Sequence, residues 1–402
     1  MRKFGPGLIV AAAFIGPGTI TTASIAGTNY GFMLVWALLF SIITTLILQE
    51  MAARLGIVGR LGLAEGLRAS LTNPWLKWPV LLLVITAIGL GNAAYQAGNL
   101  LGAAVGAEVL TGVSAPLLAA LCAMFAIGLL ASGAYRLIER ILILLVVVMS
   151  FVFIAAMLLV PPDLSLIVSH LLPRSLPDGA MLSAIALIGT TVVPYNLFLH
   201  AMAVQQTWTA NDETAKALRE ARIDLSLSIG LGGLITLAVM ATAATALFSG
   251  GHHGPVNAAS IALQLEPVLG SWAKYCVASG LLAAGLTSAI TAPLAASYAV
   301  CGALGWSTNM QDRRFKAIWL AVILFGGGFA VVESQPMLAI LIAQAANGML
   351  LPIIALALVW VMNQKSLLGE YRNSVLGNCL ALLVILVTLG LGGNKLLGLV
   401  LG

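Results

Sequence analysis

Apolar segments about as long as a bilayer is thick recur along this whole sequence, and they limit its possible folds severely. A helix needs about 20 apolar residues to cross the hydrocarbon core. The 402 residues are 60% hydrophobic and only 8% charged, whereas soluble domains carry about 25% charged residues. We therefore predict an all-α integral membrane protein with eleven transmembrane helices. These fall at about 7–28, 32–53, 79–105, 115–133, 138–160, 180–206, 223–248, 275–302, 316–332, 337–361 and 375–394.

The basic residues predict how these helices are oriented. When Lys and Arg are summed over alternate loops, 16 fall on one side and 3 on the other. Cytoplasmic loops carry an excess of positive charge, so we expect a cytoplasmic N-terminus and an external C-terminus in a bacterial-type inner membrane. The net charge of +5 then reflects topology rather than nucleic-acid binding. The first apolar segment lacks a small-residue cleavage site, so we expect no removable signal peptide.

The cysteine, histidine, serine and acidic residues do not form a pattern typical of an enzyme or of a cofactor site. The four cysteines are scattered, without a Cys-x-x-Cys pair, which is typical of packing residues. No His-x-x-x-His or Gly-x-Ser-x-Gly motif is present. The acids nearest a membrane segment are placed at predicted segment ends: Glu50, Glu65, Glu139 and Glu333. We therefore predict neither catalysis nor a cofactor.

Two of the apolar segments contain a helix break. A proline removes a backbone hydrogen bond, and glycine lets the chain leave helical geometry. Within a bilayer, the freed backbone groups are tolerated only where protein or a wet cavity satisfies them. Paired interrupted segments point to a transporter binding site. The breaks are Gly16-Pro17-Gly18-Thr19 and Val193-Pro194-Tyr195-Asn196.

The positions of the breaks predict an internal repeat. Pro17 lies in segment one and Pro194 in segment six, so each half holds five segments and an eleventh follows. An odd number per half inverts the second half in the membrane, as in LeuT-like transporters. We predict one transporter domain over 1–402, with a first repeat at about 7–160, an inverted repeat at about 180–361 and an extra helix at about 375–394.

The motifs around the breaks resemble those of the Nramp divalent-metal transporters, and the resemblance covers essentially the whole chain. The tenth segment also fits, through Gln344 and Pro352. The resemblance implies proton-coupled uptake of manganese and iron. The matching stretches are Gly5-Pro6-Gly7-Leu8, Ile15-Gly16-Pro17-Gly18-Thr19, Gln49-Glu50-Met51-Ala52-Ala53-Arg54-Leu55-Gly56 and Val193-Pro194-Tyr195-Asn196-Leu197-Phe198-Leu199-His200.

The departures from this family pattern fall on its metal ligands. The family's first break reads Asp-Pro-Gly-Asn, and its Asp and Asn bind the metal; Gly16 and Thr19 stand there in this sequence. Val193 replaces the metal-binding Met, and Tyr195 replaces the His that follows. Manganese and iron are usually held with a carboxylate or imidazole present. We therefore predict that the family's metal chemistry is not used.

Neutral polar residues remain as candidates for the site. For substrate binding we predict Gly16, Thr19, Thr190, Val193, Tyr195, Asn196, Gln344 and Asn347. For a coupling or proton route we consider Gln96, Asn99, His200, Thr287 and Thr291. Each of these polar residues has an alternative explanation, because Ser, Thr, Asn and Gln in membrane helices also bond neighbouring helices.

We predict a secondary transporter that works by alternating access on a small solute or ion within the lipid bilayer. A divalent metal is the cargo implied by the resemblance, and magnesium that keeps its water shell suits neutral groups better than manganese or iron. Two alternatives remain: a carrier of a non-metal solute or monovalent ion, and a transport-inactive sensor or scaffold. A monomer is compatible with the sequence, which does not determine the oligomeric state.

Overall fold

The computed structural model describes residues 5–7, 10, 13, 15–132, 135–173, 176–209, 211–251 and 256–401, apart from the side chains of 135–143, 145 and 393–401. These residues form helices and, within the described ranges, no strand. Within the part of the chain that the structure describes, nine helical spans are long and apolar enough to cross a membrane. The prediction of an all-α, multi-pass membrane protein is therefore confirmed.

The helices follow the predicted segments closely and are numbered here in chain order. They are α1 Pro17–Tyr30, α2 Val35–Arg54, α3 Leu63–Ser70, α4 Pro74–Thr111, α5 Ala115–Ser132, α6 Tyr135–Leu159, α7 Leu164–Ser169, α8 Ala180–Thr191, α9 Tyr195–Thr207, α10 Thr214–Ala243, α11 Ala258–Leu263, α12 Glu266–Leu269, α13 Ala273–Leu304, α14 Arg313–Val332, α15 Pro336–Met362, α16 Lys365–Leu368 and α17 Val375–Leu401. Short π-helical turns, Leu55–Gly59 and Ala244–Phe248, extend α2 and α10.

Both predicted helix breaks are present. In segment six, α8 ends at Thr191, three residues intervene, and α9 begins at Tyr195. In segment one, Gly16 is extended, with φ −106° and ψ −177°, and Pro17 opens α1. Proline suits the first helical position because its fixed φ is helical and its missing N–H has no intrahelical partner there. The second break therefore separates two half-helices, α8 and α9, and the first places extended backbone at Gly16 directly before α1.

Short helices that were not among the predicted segments lie in the connections between the long helices. The stretch 258–270, between the predicted segments seven and eight, contains two short helices, α11 and α12, and its Ile261 and Leu265 are fully buried. The short helix α3 in the loop after segment two had no counterpart among the predicted segments. His252 and His253, which precede α11 in the sequence, lie outside the described residues.

Small residues allow the helices to pack closely at the centre. The long helices α4 and α13 run side by side, and a Cβ added at Gly285 would lie 2.6 Å from the carbonyl oxygen of Asn99. A Cβ at Gly189, in α8, would overlap the backbone of Gln344 and Gly348 in α15. Close backbone approach through small residues is typical of membrane helix pairs.

We predict that Gly189→Ala destabilises the protein by about 1–3 kcal/mol, the usual cost of overpacking a tight contact. The measurement is the Tm of purified protein in detergent. Gly230→Ala is the matched control, because no described atom lies within 4 Å of a Cβ added there. Equal Tm values for the two variants would contradict the close contact between α8 and α15.

Candidate functional site

The two helix breaks face each other in the protein interior. Thr19, in the first turn of α1, and Thr190, in the last turn of α8, place their hydroxyl oxygens 2.9 Å apart. Both side chains are buried. The partial positive charge of the α1 N-terminus and the partial negative charge of the α8 C-terminus therefore meet at one place. Such paired helix ends are suited to holding a small polar or charged ligand.

Helix α15 packs against both breaks through Gln344. Its amide nitrogen occupies the space that a Cβ at Gly18 would need, and its backbone carbonyl oxygen lies against Gly189. The side chain is fully buried. Within the described residues, neither Oε1 nor Nε2 has a hydrogen-bond partner. Gln344 is thus a buried amide beside the first break with its donor and acceptor groups unused.

Two tyrosines and a serine complete this cluster. The rings of Tyr95 and Tyr195 meet edge to face, with centroids 5.3 Å apart. A Cβ added at Gly16 would lie 2.9 Å from the Ser288 hydroxyl oxygen and 3.8 Å from that of Tyr95. None of the three hydroxyl groups makes a hydrogen bond to a described residue. We call Gly16, Tyr95, Tyr195, Ser288 and Gln344 the central cluster.

The sequence did not indicate Tyr95 or Ser288. Both are fully buried, on α4 and α13. Tyr95 directly precedes the predicted site residue Gln96, and Ser288 directly follows the predicted Thr287. The residues selected from the sequence were therefore each one position away from the side chains that face the centre. The helix faces became known only from the packing of α4 and α13 around Gly16.

The candidate coupling residues of α4 and α13 make hydrogen bonds to the protein itself, one of them between the two helices. Gln96 donates to the carbonyl oxygen of Ala289 at 3.1 Å, and Asn99 donates to the Gln96 side-chain oxygen at 3.4 Å. Thr287 donates back to the carbonyl oxygen of Ala283 in its own helix, and Thr291 to those of Thr287 and Ser288. A coupling role for these four residues stays a prediction.

The remaining predicted site residues flank the central cluster. Val193 and Asn196 are buried at the second break, where the Asn196 backbone N–H donates to the Val193 carbonyl oxygen at 3.0 Å. The Asn196 side-chain amide has no partner among the described residues. Asn347 is also buried, on α15 one turn beyond Gln344. These residues add amide donors and acceptors on two sides of the site.

His200 is held by the second helix. It is buried on α9, and its Nδ1 lies 3.0 Å from the side-chain oxygen of Gln49 on α2. Because an amide oxygen accepts, this contact assigns the proton of a neutral imidazole to Nδ1. The pair ties α2 to α9, the second half of segment six. A role in proton movement stays a prediction.

Charged groups lie outside the central cluster. Among the described residues, no three His, Cys, Asp or Glu side chains come together in a metal-binding group. Glu50 binds Arg54 at 3.0 Å and Arg222 at 2.8 Å, linking α2 to α10. Sequence reasoning did not single out Asp224, which lies inside predicted segment seven and is 3% exposed. The site is therefore formed by neutral hydroxyl, amide and backbone groups.

We predict that His200→Leu and Gln49→Leu are each destabilising by about 1–3 kcal/mol, because each leaves the other polar group buried without a partner. The double variant should lose less than the sum of the two, with a coupling free energy of about 0.5–3 kcal/mol. Chemical or thermal unfolding of the four proteins measures this cycle. Strictly additive losses would show that the pair does not interact.

Comparison with known proteins places this geometry in a family. Residues 7–398 match the family model described as natural resistance-associated macrophage protein-like, Nramp. The chain is 28% identical over 404 residues to the divalent metal cation transporter MntH of Yersinia pestis (strain Pestoides F), an alignment that covers 99% of this chain and 95% of the relative.

Solved structures share the fold. The manganese transporter of Eremococcus coleocola, in complex with an aromatic bis-isothiourea compound, matches with a TM-score of 0.79 at 21% identity, covering 99% of this chain and 87% of that chain. MHP1, a nucleobase-cation-symport-1 family transporter, matches with a TM-score of 0.58 at 14% identity over 94% and 81% of the two chains. These likenesses confirm the LeuT-like fold, and the family match over nearly the whole sequence shows that this chain belongs to the Nramp family.

Proposed function

We propose that this protein is a secondary transporter that carries a divalent cation, magnesium in preference to manganese or iron, with the water shell retained. Transport proceeds by alternating access, as segments one and six move against the other helices. The divalent class follows from the family and from relatives named as divalent metal cation transporters. The preference for magnesium is argued from the site itself.

The main support for this proposal is that the central cluster contains no charged side chain. A dehydrated divalent cation in the membrane interior needs opposite charge or close ligands, because desolvation costs several kcal/mol per ion. Gly16, Thr19 and Tyr195 supply no charge, and neither does Gln344. Hydroxyl and amide oxygens instead accept hydrogen bonds from coordinated water. Magnesium gives up its water reluctantly, so it suits this lining better than manganese or iron.

The space around Gly16 supports the same interpretation. The family's first break carries a metal-binding Asp at this position, whereas here the Ser288 hydroxyl oxygen lies 2.9 Å from where a Cβ would stand. A carboxylate side chain at Gly16 would have to displace Ser288. The hydroxyl group of Ser288, on α13, therefore lies in the space that an acidic side chain at position 16 would need. With glycine at this position, the whole cluster is neutral.

The unpartnered amides favour a second candidate cargo. Gln344 and Asn196 each present N–H donors without a partner in the described structure. Water bound to a cation donates strongly and accepts poorly, so these donors match a ligand that has free lone pairs. A neutral or zwitterionic organic solute has such acceptors, and it is the alternative that a transport assay must distinguish.

The test is uptake into liposomes that contain the purified protein and a fluorescent magnesium indicator. We expect magnesium influx that protein-free liposomes lack and that micromolar manganese does not suppress. Suppression by micromolar manganese would overturn the preference for magnesium. Counterflow of a labelled organic solute, without any magnesium influx, would support the second candidate instead.

Tyr195→Phe is the most informative change for this transport. It keeps the ring that packs on Tyr95 and removes a hydroxyl group that has no partner among the described residues. We expect uptake to fall about tenfold, the equivalent of about one hydrogen bond to substrate, with little change in Tm. Tyr275→Phe, at a 43% exposed position, is the control, and equal uptake by both variants would exclude substrate contact.

Restoring the family's acid should require two substitutions. Gly16→Asp alone places its Cβ against the Ser288 hydroxyl oxygen, so we expect a destabilisation of about 1–3 kcal/mol. Adding Ser288→Ala removes that oxygen and should recover the part of the loss that is due to overpacking, and the added carboxylate should create manganese affinity. Calorimetric titration of the wild type, both single variants and the double variant checks this. Manganese binding as strong in the wild type as in the double variant would contradict the account.

A further inference from the structure

A groove lies on the surface of the protein where α4, α14 and α15 meet. It encloses about 540 Å³, a volume typical of sites that hold small ligands. All three helices are among the spans that are long and apolar enough to cross a membrane. Buried alanines, Ala97 and Ala343, form its floor, and exposed side chains, Phe325, Phe329 and Ile342, form its walls. We call it the lateral groove.

The lateral groove is separate from the central cluster and shares no residue with it. Gln344 of α15 packs against Gly18 at the first break, whereas its neighbour Ala343 lines the groove. A Cβ added at Gly98 of α4 would lie 3.5 Å from the Ala343 Cβ, so α4 and α15 are in contact beneath the groove. The groove therefore opens to the side of the protein, on a different face of α15 from the breaks.

The lining of the lateral groove favours a hydrocarbon occupant over water. Apart from Glu333 and Gln335, each described lining residue is Ala, Phe, Leu or Ile. A water molecule needs two to four polar partners to be held in a cavity, and most of this groove supplies none. In a membrane, the apolar molecule that surrounds these helices is the acyl chain of a phospholipid.

One end of the lateral groove carries a carboxylate. Phe325, Phe329 and Glu333 recur every four residues and so follow one face of α14, which places Glu333 about 12 Å along the helix axis from Phe325. Glu333 is half-buried, and its Oε1 accepts a hydrogen bond from the Gln335 backbone N–H at 2.7 Å. This bond fixes the carboxylate where α14 joins α15.

The charge at this end selects among lipid headgroups. No described lining residue is basic, so a phosphate group finds no cationic partner within the groove. A primary ammonium group can donate a charge-assisted hydrogen bond to the Glu333 carboxylate, and such bonds are stronger than neutral ones. A choline headgroup has no N–H to donate, and a glycerol headgroup has no positive charge.

We propose that the lateral groove is a phospholipid-binding site that holds one acyl chain along α14 and α15 and selects an ethanolamine headgroup through Glu333. The proposal does not depend on which cargo the protein carries. It assigns to Glu333 the recognition of the headgroup and to the alanine floor the room for the chain.

A second groove on α4 and α15 provides an internal comparison. It encloses about 290 Å³, and its described lining residues are all apolar, among them Leu67, Val84 and Trp360. Between the two grooves the helices touch, since a Cβ added at Gly91 would lie 2.7 Å from Cδ1 of Leu350. A lipid chain in this second groove meets no carboxylate, so binding there should not depend on the headgroup.

The experiment is native mass spectrometry of the purified full-length protein, titrated in detergent with phosphatidylethanolamine, phosphatidylcholine or phosphatidylglycerol that have identical acyl chains. The measured quantity is the Kd of the first bound lipid. We expect phosphatidylethanolamine to bind about fivefold more tightly than the other two, the upper range for a partly exposed ion pair. Glu333→Gln should remove this preference and leave the binding of phosphatidylcholine unchanged.

Matched variants separate the headgroup contact from the chain contact. Glu108→Gln is the control for charge, because Glu108 is exposed and also accepts a backbone N–H, that of Ala115 at 3.2 Å, without lining the groove. Ala346→Phe fills the groove at a half-buried lining position and should weaken the first binding event for all three lipids. Ala131→Phe, at an exposed position on α5, should not.

Equal Kd values for the three lipids in the wild type would overturn the headgroup selection, as would a preference that survives Glu333→Gln. First-lipid binding that Ala346→Phe leaves unchanged would overturn the site itself. Ala94→Phe fills the same groove from α4, at another half-buried lining position, and decides the question if Ala346→Phe does not fold.

Discussion

A helix broken inside a membrane must have its freed backbone groups satisfied by protein or by a wet cavity, and this requirement shapes the centre of the molecule. The breaks meet through the Thr19–Thr190 contact at 2.9 Å. Gln344 of α15 lies against Gly18 with its side chain and against Gly189 with its backbone. Glycines at both positions let three helix segments approach closely enough to do this. The site is thus a consequence of how the breaks are packed.

The chemistry of the site follows from the same packing. Ser288 occupies the space beside Gly16, and the hydroxyl groups of Tyr95 and Tyr195 converge nearby without adding charge. Charged side chains are kept towards the end of the helices, where Glu50 joins α2 to α10. A centre without charge and an ionic network at one face are the two features that support the proposed cargo, a cation that keeps its water or a solute with its own hydrogen-bonding groups.

The sequence predicted the spanning helices and both breaks because proline, glycine and long apolar runs act locally. It did not identify Tyr95 or Ser288, since their roles depend on which face of α4 and α13 meets Gly16. Asp224 escaped notice for a related reason: its partners are backbone groups more than two hundred residues away. Conversely, Gln96 was expected on a transport route, and the structure places its amide on the Ala289 carbonyl oxygen.

In the proposed function, the cluster at the breaks holds its cargo without charged protein ligands. Calorimetric titration of the purified wild-type protein with manganese tests it most directly. We expect no micromolar binding, because Gly16 and Thr19 offer neither a carboxylate nor a soft ligand. Micromolar manganese binding that Thr19→Val abolishes would contradict it and would show that the family's metal chemistry survives in a neutral site.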